Sequence, residues 1–253
     1  MEDKNIYFIS DVHLGSKNLN NNRERELHLI KFIDSIKEKC SSLWLMGDIF
    51  DFWFEYKHAV PKGHTRLLGK LSELHDNGIE VNMFIGNHDI WIFDYLTLEC
   101  GVKIHKEQYK EITLNGKLML LGHGDGLNPK DVGFKIIRKV FHNPVAQWLF
   151  RWIHPDCGIA LATSWSSSSR KSQGGVVTKQ YMGNDKEDSV IFCNKYIQEH
   201  PNIEYVIFGH RHLPFTVKLD NGATYINTGD WQTQFTYAEL NSKGELLLKE
   251  FPM

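Results

Sequence analysis

Five times along this chain a short apolar run ends in a cluster of Asp, His or Asn. The clusters are Asp11-Val12-His13, Gly47-Asp48, Gly86-Asn87-His88-Asp89, Gly122-His123-Gly124-Asp125 and Gly209-His210-Arg211-His212. The runs before them, residues 6–10, 43–46, 81–85, 117–121 and 205–208, have the length and composition of buried strands. Helical patterns separate the first three. Residues 23–39 carry Leu27, Ile30, Ile33 and Ile36 at helical spacing, and residues 65–76 end at Asn77-Gly78. This alternation predicts an α/β fold whose first half is largely parallel. Open α/β sheets place ligand sites at the carboxyl ends of their strands, so the five clusters are expected to meet.

The second half reads differently. Residues 109–114 and 117–121 flank Asn115-Gly116, a hairpin signal. Residues 188–200 read as helix, and hairpins are expected around Asn221-Gly222 and Ser242-Lys243-Gly244. Between the fourth and fifth clusters lies a segment of another kind. Residues 130–152 are helical in pattern and rich in large apolar side chains, and residues 163–175 are Ser-rich, basic and aperiodic. We read residues 1–253 as one domain, with residues 130–184 as an insertion, part helix and part loop.

A chain of 253 residues, 42% of them hydrophobic, can bury a core without cross-links. Its formal charge of -2 gives no reason to expect a nucleic-acid partner. Cys40, Cys100, Cys157 and Cys193 are scattered, which argues against a zinc ribbon or a disulfide framework and for reduced, cytosolic thiols. No signal sequence is evident and no run approaches the roughly 20 apolar residues of a membrane span, so a membrane contact would be peripheral.

The clusters are hard oxygen and nitrogen donors, which suit Mn²⁺, Fe or Zn²⁺ rather than soft-metal chemistry. If Asp11 and His13 continue a strand, their i and i+2 side chains share a face, and His210 and His212 repeat the device. One shared carboxylate, Asp48, can hold two cations about 3.5–4 Å apart, which would clamp a phosphate oxygen and activate water. Asp51 would either orient a ligand or cap a turn, and Asp89 would support its own turn. The remaining histidines, His28, His58, His64, His75, His105, His142, His154 and His200, read as surface or helix residues.

In their order the five clusters resemble the motifs of the calcineurin-like metallophosphoesterases, from Asp11 to His212. The resemblance implies a four-layer αββα sandwich with a helical cap and two divalent metal ions, Mn²⁺ by preference. It implies Asp11, His13, Asp48 and His212 around one metal, and Asp48, Asn87, His123 and His210 around the other. His88 would contact the phosphate and protonate the leaving group, so His88 and its neighbour Asn87 are the catalytic candidates.

A narrower likeness lies in residues 47–53 (GDIFDFW), in His123-Gly124-Asp125 with Asp131 following, and in the helical insertion. These are similar to the UDP-2,3-diacylglucosamine pyrophosphohydrolases of lipid A biosynthesis, which release UMP and an acylated sugar phosphate. That likeness implies a lipid-linked nucleotide substrate, and a cytoplasmic enzyme peripheral to the inner membrane. It implies neither a nucleic-acid partner nor an obligate protein partner. Asp131, Phe134, Ser166, Arg170 and Lys171 are the substrate-binding candidates. The best-known members carry arginine at the position of His88 and commonly tyrosine at that of Phe134.

Two rival readings stand beside this one. A general phosphodiesterase or phosphatase would share the motifs and differ in substrate. A non-catalytic scaffold on the same fold would lack ligands or the histidine, whereas all seven ligand positions and His88 are present here. Within the insertion, Phe141, Trp148, Phe150 and Trp152 fit either core packing or a lipid-receiving, membrane-facing cap. Residues 165–171 fit either a phosphate or uridine grip or a solvated loop.

Overall fold

A computed structural model describes residues 4–16, 19, 21–128, 131–172 and 180–253, the side chains of 165–172 excepted. Two sheets face each other. The first has six strands: β1 (Asn5–Ile9), β2 (Cys40–Leu45), β3 (Glu80–Phe84), β4 (Lys103–His105), β10 (Thr236–Leu240) and β11 (Leu246–Glu250), in the order β11-β10-β1-β2-β3-β4. The second contains β5 (Tyr109–Leu114), β6 (Lys117–Gly122), β7 (Tyr205–Phe208), β8 (Pro214–Lys218) and β9 (Thr224–Thr228), in the order β5-β6-β7-β9-β8. β1 to β4 are mutually parallel, as are β6, β7 and β9, and antiparallel strands close every edge except the one formed by β4.

Alternation along β1 explains the layering. Ile6 and Phe8 join Trp44, Met46 and Phe84 against Met119, Leu121, Ile207 and Ile226 of the other sheet. Tyr7 and Ile9 point the other way, into a core shared with α1 (Asn22–Ile36), α2 (Thr65–Asp76) and α3 (Tyr95–Cys100). The far face of the second sheet is covered by α7 (Asp188–Glu199) through Val190, Cys193 and Ile197. The result is the expected αββα sandwich, and strands buried on both faces account for the near-continuous apolar runs.

Several expectations need correction. Leu27 is 39% exposed, and the packed stripe of α1 is Leu29, Phe32, Ile33 and Ile36. The 3.6-residue period shifts the true face from the one chosen by three-residue steps. α3 and β4 escape notice in the sequence because both are short. His105 is not a surface residue. It lies buried in β4, stacked on Trp44 and Phe84 and bonded to Asn82 at 2.9 Å.

The segment between the fourth and fifth clusters is three helices, α4 (Val132–His142), α5 (Pro144–Arg151) and α6 (Pro155–Ser172). Asn143 breaks the first two apart and caps α5 by accepting from the N–H groups of Val145 and Ala146, with Pro144 at the first helical position. α6 overturns the loop reading of residues 163–175 as far as Ser172. Serine's weak helix preference is overridden where Ile159 and Ala162 pack on the core. Phe141 and Phe150 stack on Trp91, and the Trp91 indole donates to the Phe141 carbonyl at 2.8 Å.

Candidate metal centre

The five clusters do converge, by a device the strand argument misses. β1 ends at Ile9 and β7 at Phe208, so Asp11, His13, His210 and His212 lie beyond the strands. They take left-handed φ values of 55°, 47°, 67° and 51°, and Asp48 takes 53°. Such backbone is uncommon for residues with a Cβ and costs of order 1–3 kcal/mol each. It is held by bonds between clusters: Asp11 N–H to Gly47 O at 3.1 Å, His13 N–H to Asp48 O at 3.0 Å, and His210 N–H to Asp11 Oδ2 at 2.8 Å. Glycine is required where loops touch. A Cβ on Gly86 would collide with Asp48, and one on Gly209 with Ser10 and Asp11.

Three groups of donor atoms result among the described residues, each within 4.8 Å: His13, Asp51 and His88 at the rim, and the two that carry the expected ligands, Asp11, His13 and His212, and Asp48, His123 and His210. Asp48 stands between them. Its Oδ2 is 3.5 Å from His13 Nε2 and 3.4 Å from His123 Nε2, and its Oδ1 accepts the His88 backbone N–H at 2.8 Å. Asn87 Oδ1 lies 3.3 Å from His123 Nε2. His123 Nδ1 donates to the Met46 carbonyl at 2.8 Å, which leaves Nε2 as the donor atom facing the centre.

The electrostatics are those of a cation site. Burial alone would raise the Asp11 and Asp48 carboxyls, yet the histidines around them hold both well below the ordinary range. The carboxylates in turn overcome burial at His13 and His123, raising them to about 9 and about 10. Burial, reinforced by the His123 charge, pushes His210 down to about 4. Asp11 Oδ1 and His13 Nε2 are buried with no hydrogen-bond partner, which native interiors rarely tolerate. Orphaned hard donors between two charged carboxylates fit a pair of divalent cations.

The next ring of residues fixes these groups. The Asp89 carboxylate accepts from Gly86, Ile49, Phe50 and Asp48 N–H groups, and so binds the second and third clusters together. Asp51 Oδ1 lies 3.4 Å from His13 Nδ1, and the Asp51 carbonyl takes the His88 Nδ1 proton at 3.1 Å. Sequence reasoning misses Asp230 and Gln232, which stand beside His212 Nδ1 at 4.0 and 2.9 Å. Their signal is a sixth polar cluster at a strand end, Gly229-Asp230 after β9.

Beside the centre a cavity of about 370 Å³ runs under the three helices. Asp51, Asn87 and His88 line it, and the rest of its wall is largely apolar, with Trp91, Phe134, Ile137, Phe141, Phe150 and Leu161. Phe134, a substrate-binding candidate, is thus on the cavity wall. The Asp131 carboxylate caps α4 by accepting from Phe134 N–H at 3.0 Å. The side chains of Ser166, Arg170 and Lys171 lie outside the described residues. Phe141, Trp148, Phe150 and Trp152 divide into two pairs. Phe141 and Phe150 face the cavity, while Trp148 and Trp152, 56% and 75% exposed, stand on the outer surface.

The calcineurin-like phosphoesterase profile matches residues 4–214. The chain belongs to that family. It is a metal-dependent hydrolase, and divalent cations are its cofactors. A Porphyromonas gingivalis protein named UDP-2,3-diacylglucosamine hydrolase is 36% identical to it over 243 residues, 92% of each chain. An Edwardsiella ictaluri protein of the same name is 26% identical over 96% of this chain and 90% of its own. A solved structure, a hypothetical protein of Pyrococcus horikoshii, superimposes with a TM-score of 0.51 at 9% identity, covering 97% of this chain and 87% of its own. That likeness is one of fold.

Proposed function

We propose that this phosphoesterase hydrolyses the pyrophosphate of UDP-2,3-diacylglucosamine, giving UMP and 2,3-diacylglucosamine 1-phosphate. One observation carries the reading: Asn87 and His88, at the edge of the donor cluster, also form the end wall of an apolar cavity. A phosphorus centre bonded to an acylated group could then rest on the donors while its chains leave water. Each buried methylene contributes about 0.8 kcal/mol. The names of the relatives point the same way.

In this reading Asp11, His13 and His212 would hold one cation and Asn87, His123 and His210 the other, with Asp48 a ligand shared by both. Mn²⁺ suits the mixed carboxylate and imidazole set. Two such cations supply charge stabilisation at the phosphorus and lower the pKa of the attacking water. His88 keeps its Nδ1 proton on the Asp51 carbonyl, and its Nε2 would carry a second proton toward the leaving oxygen. The apolar wall excludes water from the other side of the bond. Residues 130–184 act as the cap that selects the substrate.

Among the described residues no helix is long and apolar enough to cross a membrane. On the outer face of the cap Ile136, Val140, Trp148, Leu149 and Trp152 are exposed beside Lys139 and Arg151. This apolar and basic face suits the interfacial region of an anionic bilayer, and it supports the reading of an enzyme that works at the cytoplasmic face of the inner membrane.

The test is UMP release from UDP-2,3-diacylglucosamine with added Mn²⁺, abolished by a chelator. Hydrolysis of short phosphodiesters without UMP release would leave a phosphodiesterase of other substrate.

A further inference from the structure

We propose that Arg138 is a substrate-binding residue that grips the phosphate borne by the apolar part of the substrate. The proposal deepens the reading above: the phosphate in question is the one that departs with the acylated sugar.

The observation is a cation in an unexpected place. Among the described residues Arg138 is the only lysine or arginine on the cavity wall, beside side chains that are mostly apolar. Its ion-pair partner is Asp125, whose carboxylate is 2% exposed, with Arg138 Nε 3.0 Å from Asp125 Oδ2. Despite that separation the Nε–H makes no hydrogen bond of proper direction. The pair is a tether between charges and not the parallel two-pronged lock that arginine and carboxylate can form. The terminal N–H groups of the guanidinium meet no protein acceptor among the described residues. A cation held by one edge keeps its other donors for a ligand.

The tether also fixes where the cation sits. Asp125 is two residues beyond His123, and its carbonyl accepts from the Gln108 side chain at 2.8 Å. Phe134, one turn before Arg138 on α4, packs against Gly126 of the same loop. Arg138 is thus positioned by the loop that carries a donor of the centre, although it belongs to a cap helix. It shares its cavity with His88 and Asn87, where the departing oxygen would lie. A planar guanidinium matches two oxygens of a phosphate, which an ammonium group cannot do. The chemical class that fits is a phosphate monoester on an apolar body: the apolar wall takes the body and Arg138 takes the charge.

Removing Arg138 alone strands the buried Asp125 charge and endangers the fold, so the test uses the pair Arg138→Gln with Asp125→Asn, and Arg138→Lys separately. The probes are dihexanoyl phosphatidate and neutral dihexanoylglycerol, bound to the metal-loaded protein and measured by calorimetry. The wild type should prefer the phosphate-bearing lipid. The paired variant should lose roughly 10- to 100-fold of that preference, as for bonds to charged groups, with affinity for the neutral lipid retained. Arg138→Lys should lose less, since it keeps charge without the fork. An unchanged preference in the paired variant, or equal weakening of both lipids, overturns the proposal. UMP release is assayed in parallel. If the wild type releases none, the substrate reading fails, while the lipid comparison still decides the role of Arg138.

Discussion

The donor cluster and the three-helix cap are built on opposite principles. Around the centre the donors are buried, backbone is held in left-handed conformations, and glycines stand where a methyl group would collide. Asp11, His13, Asp48 and His123 are all but inaccessible. In the cap, α4 and α5 bury no residue fully and leave apolar side chains in the open. Rigid placement suits a reaction whose geometry is fixed by phosphorus. A loosely covered apolar cavity suits chains that vary in conformation. On the proposed function chemistry falls to one region and selection to the other, and perturbations should separate along that line.

The largest effect should come from the bridging position. Asp48→Ala is expected to lose both metals and all measurable turnover, as read by elemental analysis and hydrolysis of bis-p-nitrophenyl phosphate. Two metals per chain persisting in that variant would remove Asp48 from the bridge. His88→Ala should keep its metals and lose about 10²–10⁴-fold in kcat. The loss should shrink for nitrophenyl leaving groups, which need little protonation, and equal losses on alkyl and nitrophenyl esters would argue against proton donation.

The cap should answer differently. The double substitution Phe141→Ala and Phe150→Ala is expected to raise KM for the diacylated substrate roughly 10- to 100-fold, from lost burial. Short diesters should be cleaved within about twofold of wild type. Because both residues also pack on Trp91, a melting curve must accompany the kinetics. A matching loss on both substrates in a folded variant would make the cavity structural only.

The smallest effect is one of protons. In the metal-free protein His13 and His123, raised to about 9 and about 10, carry charge at pH 7. Their contribution to folding is full below about pH 6.5 and is lost as pH rises through 9 and 10. His210, lowered to about 4, has the opposite sign and opposes folding as pH falls from 6.5 to 4. Cation binding must displace the protons on His13 and His123. Calorimetry in buffers of different ionisation enthalpy should therefore show roughly two protons released per chain at pH 7, and few above pH 10. Proton-neutral binding at pH 7 would contradict the electrostatic picture.

Much of the centre can be read from the chain because each cluster is local and its neighbours in sequence are its neighbours in space. Asp11 and His13 betray themselves as a pair, and a buried run before each cluster marks the sheet edge. What cannot be read is how they meet. Left-handed φ at Asp11, His13, Asp48, His210 and His212 leaves no compositional trace, and Asp51 reaches His13 only through the crossing of two loops. In the cap the signal is ambiguous for a physical reason. Phe141 and Phe150 look like Trp148 and Trp152 in composition, and only helix phase decides which pair faces the cavity. The Ser-rich stretch of α6 misleads because packing, not propensity, forms that helix as far as Ser172.

The central claim is that chemistry at the donor cluster is directed by the apolar cavity beside it. The most direct measurement is UMP release by the wild-type protein with Mn²⁺ from UDP-2,3-diacylglucosamine and from UDP-glucosamine lacking both acyl chains. The account predicts kcat/KM at least about 10²-fold higher for the diacylated sugar, which is what burying a few methylenes supplies. Equal values for the two, or a preference for the sugar without chains, would contradict it.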